Sequence, residues 1–172
     1  DTLLPDGTYS YKLSSTDGAG NSGNSESYEI TIDTQVNSEI SLTLNRNHIS
    51  PGGEMGKETV SLNPSVNDRE GITTFILTIV DSSGNEVWRL EDTPNEWSSE
   101  PVKWKGRNNK DLLVSDGEYL ARFTVVDQLG NRKSIEHSLQ VDTEKPKMDL
   151  TAEYTLFSPD GETLVFAERV RT

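Results

Sequence analysis

The chain has 172 residues, with 29 acidic and 16 basic side chains, a net charge of −13 and a pI near 4.5. That balance excludes nucleic acid, or an anionic membrane surface, as a partner held by general electrostatics, because phosphate contacts need clustered Lys and Arg. Cysteine is absent, which removes disulfides, thiolate zinc sites and cysteine nucleophiles together, and the 31% hydrophobic content suits thin cores built by alternating strands.

No run approaches the length of a transmembrane helix, so no membrane insertion is expected within this segment. No signal peptide opens the chain, an absence that an excerpt from a longer array would show in any case.

Taken in order, the chain repeats itself. Asp6-Gly7-Thr8-Tyr9 returns as Asp116-Gly117-Glu118-Tyr119, and Asp17, Gly20 and Asn21 return as Asp127, Gly130 and Asn131, all at a shift of 110. Ile32-Asp33-Thr34 returns as Val141-Asp142-Thr143 at a shift of 109, and Ser50-Pro51-Gly52-Gly53-Glu54 as Ser158-Pro159-Asp160-Gly161-Glu162 at 108. Aligning Thr59-Val60-Ser61-Leu62 with Thr163-Leu164-Val165-Phe166 gives 104, which places a short insertion near Met55 to Glu58. The organisation expected is the final hairpin of one module at 1–34, a complete module at 35–143 and the opening strands of a third at 144–172. A lone hairpin is marginal in water, so the end segments are expected to be ordered by packing on the central module or by strand exchange with a neighbouring chain.

Within the complete module, strands declare themselves by period-two alternation between Gly, Asn, Asp and Ser turns. Ile40, Leu42 and Leu44 alternate with polar residues, then Val60 and Leu62, and Phe75, Leu77 and Ile79 share one face of a run from Thr74 to Val80. Asp81-Ser82-Ser83-Gly84-Asn85 is turn chemistry leading into a return strand, Glu86 to Leu90. A Pro-, Asn- and Glu-containing segment then carries Trp97, and Val102 to Trp104 reads as a short strand. Two longer strands, Glu118 to Val126 and Ser134 to Val141, close the module around Asp127-Gln128-Leu129-Gly130-Asn131. About seven strands with turns every 8 to 12 residues and helix only as isolated turns predict an all-β protein, an Ig-like or fibronectin-III-like sandwich.

The Asp-Gly turn ahead of Tyr119 matches a tyrosine corner, in which the phenol satisfies a nearby backbone group and the ring closes the end of the core. Tyr9 stands at the same place in the first unit. Ala121 occupies the position where antibody domains carry a cysteine, so packing replaces a disulfide. Trp88 and Trp104 are expected in the core or over its edge, while Trp97, in a loop without alternation, is the candidate exposed aromatic for a ligand.

Chemistry is sparsely signalled. His48 and His137 sit in separate strand regions without a recurring neighbour, and paired carboxylates are unavoidable in so acidic a chain, so no catalytic residue is assigned and no enzyme is expected. Asp6, Asp33, Asp116 and Asp142 should gather at module ends. Their first reading is turn and strand capping without a cofactor; their second is calcium bound at a joint between modules.

These residues carry a resemblance. The stretch from Asp6-Gly7-Thr8-Tyr9 through Asp17-Gly18-Ala19-Gly20-Asn21 to Ile32-Asp33-Thr34 resembles the end of the Ig-like repeats common in bacterial surface and adhesion proteins. Trp104-Lys105-Gly106, Val114 to Tyr119 and Asp127 to Asn131 are similar to the Ig-like domain of flagellar hook-capping proteins, a pattern also seen at the C-terminal ends of secreted enzymes.

The resemblance implies an extracytoplasmic protein, at a bacterial surface, in the periplasm or secreted, acting as a non-enzymatic spacer or adhesion element. Its partners would be neighbouring Ig-like modules, a copy of itself through end-segment strand pairing, or a host, glycan or envelope protein ligand. The alternatives are a carbohydrate- or protein-binding accessory domain of a secreted enzyme, and an assembly scaffold at a flagellar hook.

Overall fold

The computed structural model describes residues 3–53, 56–98 and 100–147. The opening strands of a third module expected at 144–172 lie outside the described residues from Met148 on, as do Met55 of the expected insertion and the preceding Glu54. The described chain forms strands only: β1 (Gly7–Tyr11), β2 (Ser14–Thr16), β3 (Ser22–Asn24), β4 (Tyr28–Ile32), β5 (Ile40–Leu44), β6 (His48–Ile49), β7 (Val60–Val66), β8 (Ile72–Asp81), β9 (Glu86–Asp92), β10 (Val102–Trp104), β11 (Gly117–Asp127) and β12 (Arg132–Val141).

β5 to β12 make the sandwich. A three-stranded sheet, β10-β7-β5, faces a five-stranded sheet, β6-β12-β11-β8-β9. Alternation along each strand supplies the core: Leu42, Val60 and Leu62 from the small sheet meet Phe75, Leu77, Ile79, Tyr119, Ala121, Phe123, Val125, Leu139 and Val141 from the large one. β8 departs from simple alternation, since Ile76, Thr78 and Val80 on its other face are also buried. It is an inner strand, and Thr78 lies in register with Arg89 of β9 and Arg122 of β11. Arg89 pairs with Glu86 and Glu91, and Arg122 with Glu136, so long aliphatic stems are held across that face.

β6 is an eighth strand of the module beyond the seven the pattern suggests. Two residues cannot show alternation, and β6 exists because its neighbours need it: it pairs in parallel with the end of β12, the Gln140 N–H donating to the Asn47 carbonyl (2.8 Å) and the Asp142 N–H to that of Ile49 (3.0 Å).

The first segment forms a separate two-part hairpin. β1 pairs with β4 from Gly7↔Ile32 to Tyr11↔Tyr28, and β2 with β3 from Ser14↔Asn24 to Thr16↔Ser22. Between the two parts the Ser25 N–H donates to the Leu13 carbonyl and the Leu13 N–H to Ser25 Oγ, both at 2.9 Å. The return strand thereby takes up one residue more than β12 does between corresponding positions, so the repeat shift falls from 110 at Asn21 to 109 at Ile32. Packing of this hairpin on the central sandwich is not what holds it. Leu3, Leu4, Tyr11, Leu13, Tyr28 and Ile30 are all more than half exposed.

Candidate functional site

The same turn recurs at three hairpin tips. Asp17, Asp81 and Asp127 each accept, through Oδ1, the N–H groups two and four residues on at 2.8–2.9 Å. Their Oδ2 atoms accept the side-chain amides of Asn21, Asn85 and Asn131. Gly20, Gly84 and Gly130 supply the left-handed residue between, at φ of 92, 84 and 87°. Asn108 builds a fourth copy, its Oδ1 accepting from the N–H groups of Lys110 and Leu112, with Asp111 at φ 60° in the glycine's place. That copy was hidden in the sequence because neither the Asp nor the Gly of the pattern is present.

The two corners are built alike. The Tyr119 hydroxyl donates to the Ser115 carbonyl and the Tyr9 hydroxyl to the Pro5 carbonyl, both at 2.7 Å. Burial, followed by the charges of Asp81 and Asp116, pushes the Tyr119 phenol above its ordinary value, so it remains a donor. Asp116 accepts the Thr143 N–H and hydroxyl, and Asp6 accepts the Thr34 hydroxyl. Asp142 Oδ1 accepts from the Glu144 N–H, while Asp33 accepts from the Gln35 N–H and the Asn37 amide. All four aspartates therefore fasten strand ends to the chain that follows. Among the described residues no three His, Asp or Glu side chains converge on a point where a metal ion could sit.

Between hairpin and sandwich lies the joint. Asn131 Nδ2 donates to the Asp33 carbonyl at 3.1 Å, and Lys133 Nζ to that of Ser38 at 2.9 Å. An open cleft of ≈ 420 Å³ lies there, with Asp33, Asn37, Asp68, Glu70 and Asp127 in its wall. Asn131 was legible as a turn residue, but its second partner is 98 positions away and leaves no local signal.

The tryptophans are placed by packing. Trp104 is 1% exposed, and its Nε1–H donates to the Arg107 carbonyl at 2.8 Å. Trp88, opposite Ile79, is half-buried against the core. The expectation of Trp97 as an exposed ligand platform is corrected: it is 8% exposed, with its ring edge-on to Phe75 at 5.5 Å and 6.0 Å from Phe123. The small sheet leaves one end of these rings open, and the indole closes it. His48 and His137 are exposed, on β6 and β12. At the free edge of β9, the Asn109 side chain takes both backbone bonds of Arg89 and stands in for a strand.

A bacterial Ig-like domain model matches residues 36–143. The chain belongs to the bacterial Ig-like domain family. No curated protein is a match to it. Among solved structures, dimeric latent PorU from Porphyromonas gingivalis is 18% identical with a TM-score of 0.49, over 82% of this chain and 13% of that one. A tetra-tandem repeat from the extending region of a large adhesion protein is 20% identical with a TM-score of 0.43, over 88% of this chain and 36% of that one. The chain thus spans a minor part of both proteins.

In this bacterial Ig-like module the Asp turns make stability depend on pH. For Asp81, hydrogen bonds from the backbone and side chain of Asn85 lower the carboxyl below its ordinary 3.8. For Asp127, desolvation pushes upward and is outweighed by hydrogen bonds from Asn131, Leu129 and Gly130. A depressed folded value means that the stabilisation is complete above pH 3.8 and is lost as pH falls through the folded value. Urea midpoints should therefore drop as pH falls below 3.8, and the double variant Asp81→Asn, Asp127→Asn should show a shallower acid decline. An unchanged slope would remove these turns from the acid response.

Proposed function

We propose that this chain is a non-enzymatic, force-bearing spacer of tandem Ig-like modules in a bacterial envelope or surface protein, with the hairpin at 1–34 closing one module and 144–172 opening another. The single observation that carries this reading is the parallel pairing of β6 with β12. β6 leads back toward the N-terminus and β12 forward toward the C-terminus, so tension applied through the chain pulls them in opposite directions along one axis. Parallel bonds between such strands are loaded together in shear instead of opening one at a time. The Asn131 and Lys133 bonds brace the entry to the module, which favours a spacer that transmits tension over a freely jointed linker.

The reading as a carbohydrate-binding accessory domain loses its aromatic platform with Trp97 in the core. Calcium at the joint would have to draw Asp6, Asp33, Asp116 and Asp142 away from their present hydroxyl and backbone partners.

The test removes one donor from the clamp. Asp142→Pro deletes the N–H that bonds the Ile49 carbonyl while leaving the core intact. Stretched by its ends, the variant should unfold at a clearly lower force than the parent, with little change in its urea midpoint. Equal unfolding forces would contradict the clamp.

A further inference from the structure

For most of its length β12 is an edge strand. β6 covers its outer side only at Gln140 and Val141, so the stretch ahead of them pairs with β11 on one side and with no described strand on the other. The N–H groups of Gln140 and Asp142 point to that outer side, toward the Asn47 and Ile49 carbonyls. By the two-residue period of a strand, those of Arg132, Ser134, Glu136 and Ser138 point the same way. All four side chains are exposed. The chain ahead of β6 does not extend the cover, because Asn45 is already bonded to Ser61 of β7 through both its backbone and its side chain.

A bare edge of this length is a surface on which another strand can pair. The edge of β9 is guarded by Asn109, and β10 offers three residues behind Pro101. Lys133 is an inward charge of the kind that blocks edge pairing, but its ammonium is drawn away to the Ser38 carbonyl and Glu39.

The charges along the open stretch are self-complementary. When two copies of Arg132-Lys133-Ser134-Ile135-Glu136 run antiparallel about Ser134, each Arg132 faces Glu136 of the other copy. Arg132 makes no ion pair among the described residues, and Glu136 gives Oε1 to Arg122 while Oε2 stays open to a second guanidinium. Centring the pair on Glu136 instead would set the two carboxylates against each other.

We propose that the outer edge of β12, from Arg132 to Ser138, is a docking edge for a second copy of this chain, the two β12 strands pairing antiparallel about Ser134 and joining two five-stranded sheets into one. Such a contact is isologous and closes at two copies. The two chains then run in opposite directions, as force-bearing arrays reaching out from opposing anchors would. That last consequence rests on the spacer reading, whereas the pairing itself does not.

The test uses the full chain and the variants Arg132→Glu, Glu136→Arg and Ser134→Pro, each checked for folding by the fluorescence of the sandwich tryptophans. Proline at position 134 removes one outward N–H and is of a type that edge strands tolerate. Sedimentation is run in about 0.15 M salt, where repulsion between two acidic chains is screened beyond about 8 Å. From about 3 to about 300 μM the parent's mean mass should rise from that of one chain toward that of two, while each variant alone stays monomeric. Mixed in equal amounts, Arg132→Glu and Glu136→Arg should recover the dimer, because both cross-strand pairs are again of opposite charge.

A monomeric parent, association unaffected by these substitutions, growth beyond two copies, or a charge-swapped mixture that stays monomeric would each overturn the proposal. A monomeric parent whose sandwich still resists force would overturn it while leaving the spacer reading in place.

Discussion

Trp104→Ala should lower the unfolding free energy by about 3–5 kcal/mol, the range for emptying a buried aromatic site. The indole is 1% exposed, on the short edge strand β10, where it lies opposite Val60 and 6.0 Å from the Tyr119 ring. It therefore links the small sheet to the tyrosine corner of the large one, in a chain whose lack of cysteine leaves packing to join the two sheets. Trp104→Phe separates the contributions. The phenyl ring keeps much of the apolar contact but leaves the Arg107 carbonyl without its donor, a loss of about 1–3 kcal/mol. Urea unfolding followed by circular dichroism measures both, and an Ala variant within about 1 kcal/mol of the parent would refute this role for the indole.

Gly106→Ala is the second large effect. Gly106 follows β10 at φ +66°, and a Cβ built there would lie 2.3 Å from Cγ of the buried Pro51. The left-handed conformation costs an alanine about 1–2 kcal/mol, and the overlap with Pro51 adds about 1–3 kcal/mol because a proline ring cannot swing aside. Gly84 is the control, at φ +84° with nothing within 4 Å of its added Cβ. Gly84→Ala should show the conformational part alone. If the two variants prove equally stable, the Pro51 contact is irrelevant.

Much of this architecture was legible because it is local and periodic. Strands such as β5, β11 and β12 announce themselves by alternation, β8 by its long apolar run, and the Asp-Gly-Glu-Tyr stretch announces a corner whose phenol partner lies four residues back. Legibility ends where a residue's role is decided by a distant partner. β6 has two residues and exists through its bonds to β12. Trp97 lies in a stretch with no strand pattern and is buried because Phe75 and Phe123, far away in sequence, leave a gap that an indole fills. Asn109 reads as an ordinary loop residue until β9 presents an unpaired backbone to it. The candidate site follows the same division. The aspartates were legible as turn residues, whereas the joint made by Asn131 and Lys133 with the chain ahead of β5 is a tertiary fact.

Repetition also misleads in one respect. The repeat shift drifts from 110 to 108 and then to 104, the last step read from sequence as an insertion near Met55 to Glu58. One of those steps is a bulge beside Leu13 and Ser25, inside the hairpin of the first unit.

Force extension of the 172-residue chain, held by its two ends, tests the central claim most directly. Residues 36–143 should open in one all-or-none step, releasing roughly 360–390 Å of contour at about 3.3–3.6 Å per residue, because the parallel β6–β12 pair must fail before the sandwich can yield. Extension without a force peak, or the same length released in several small steps, would contradict a sandwich that carries tension through the β6–β12 pair.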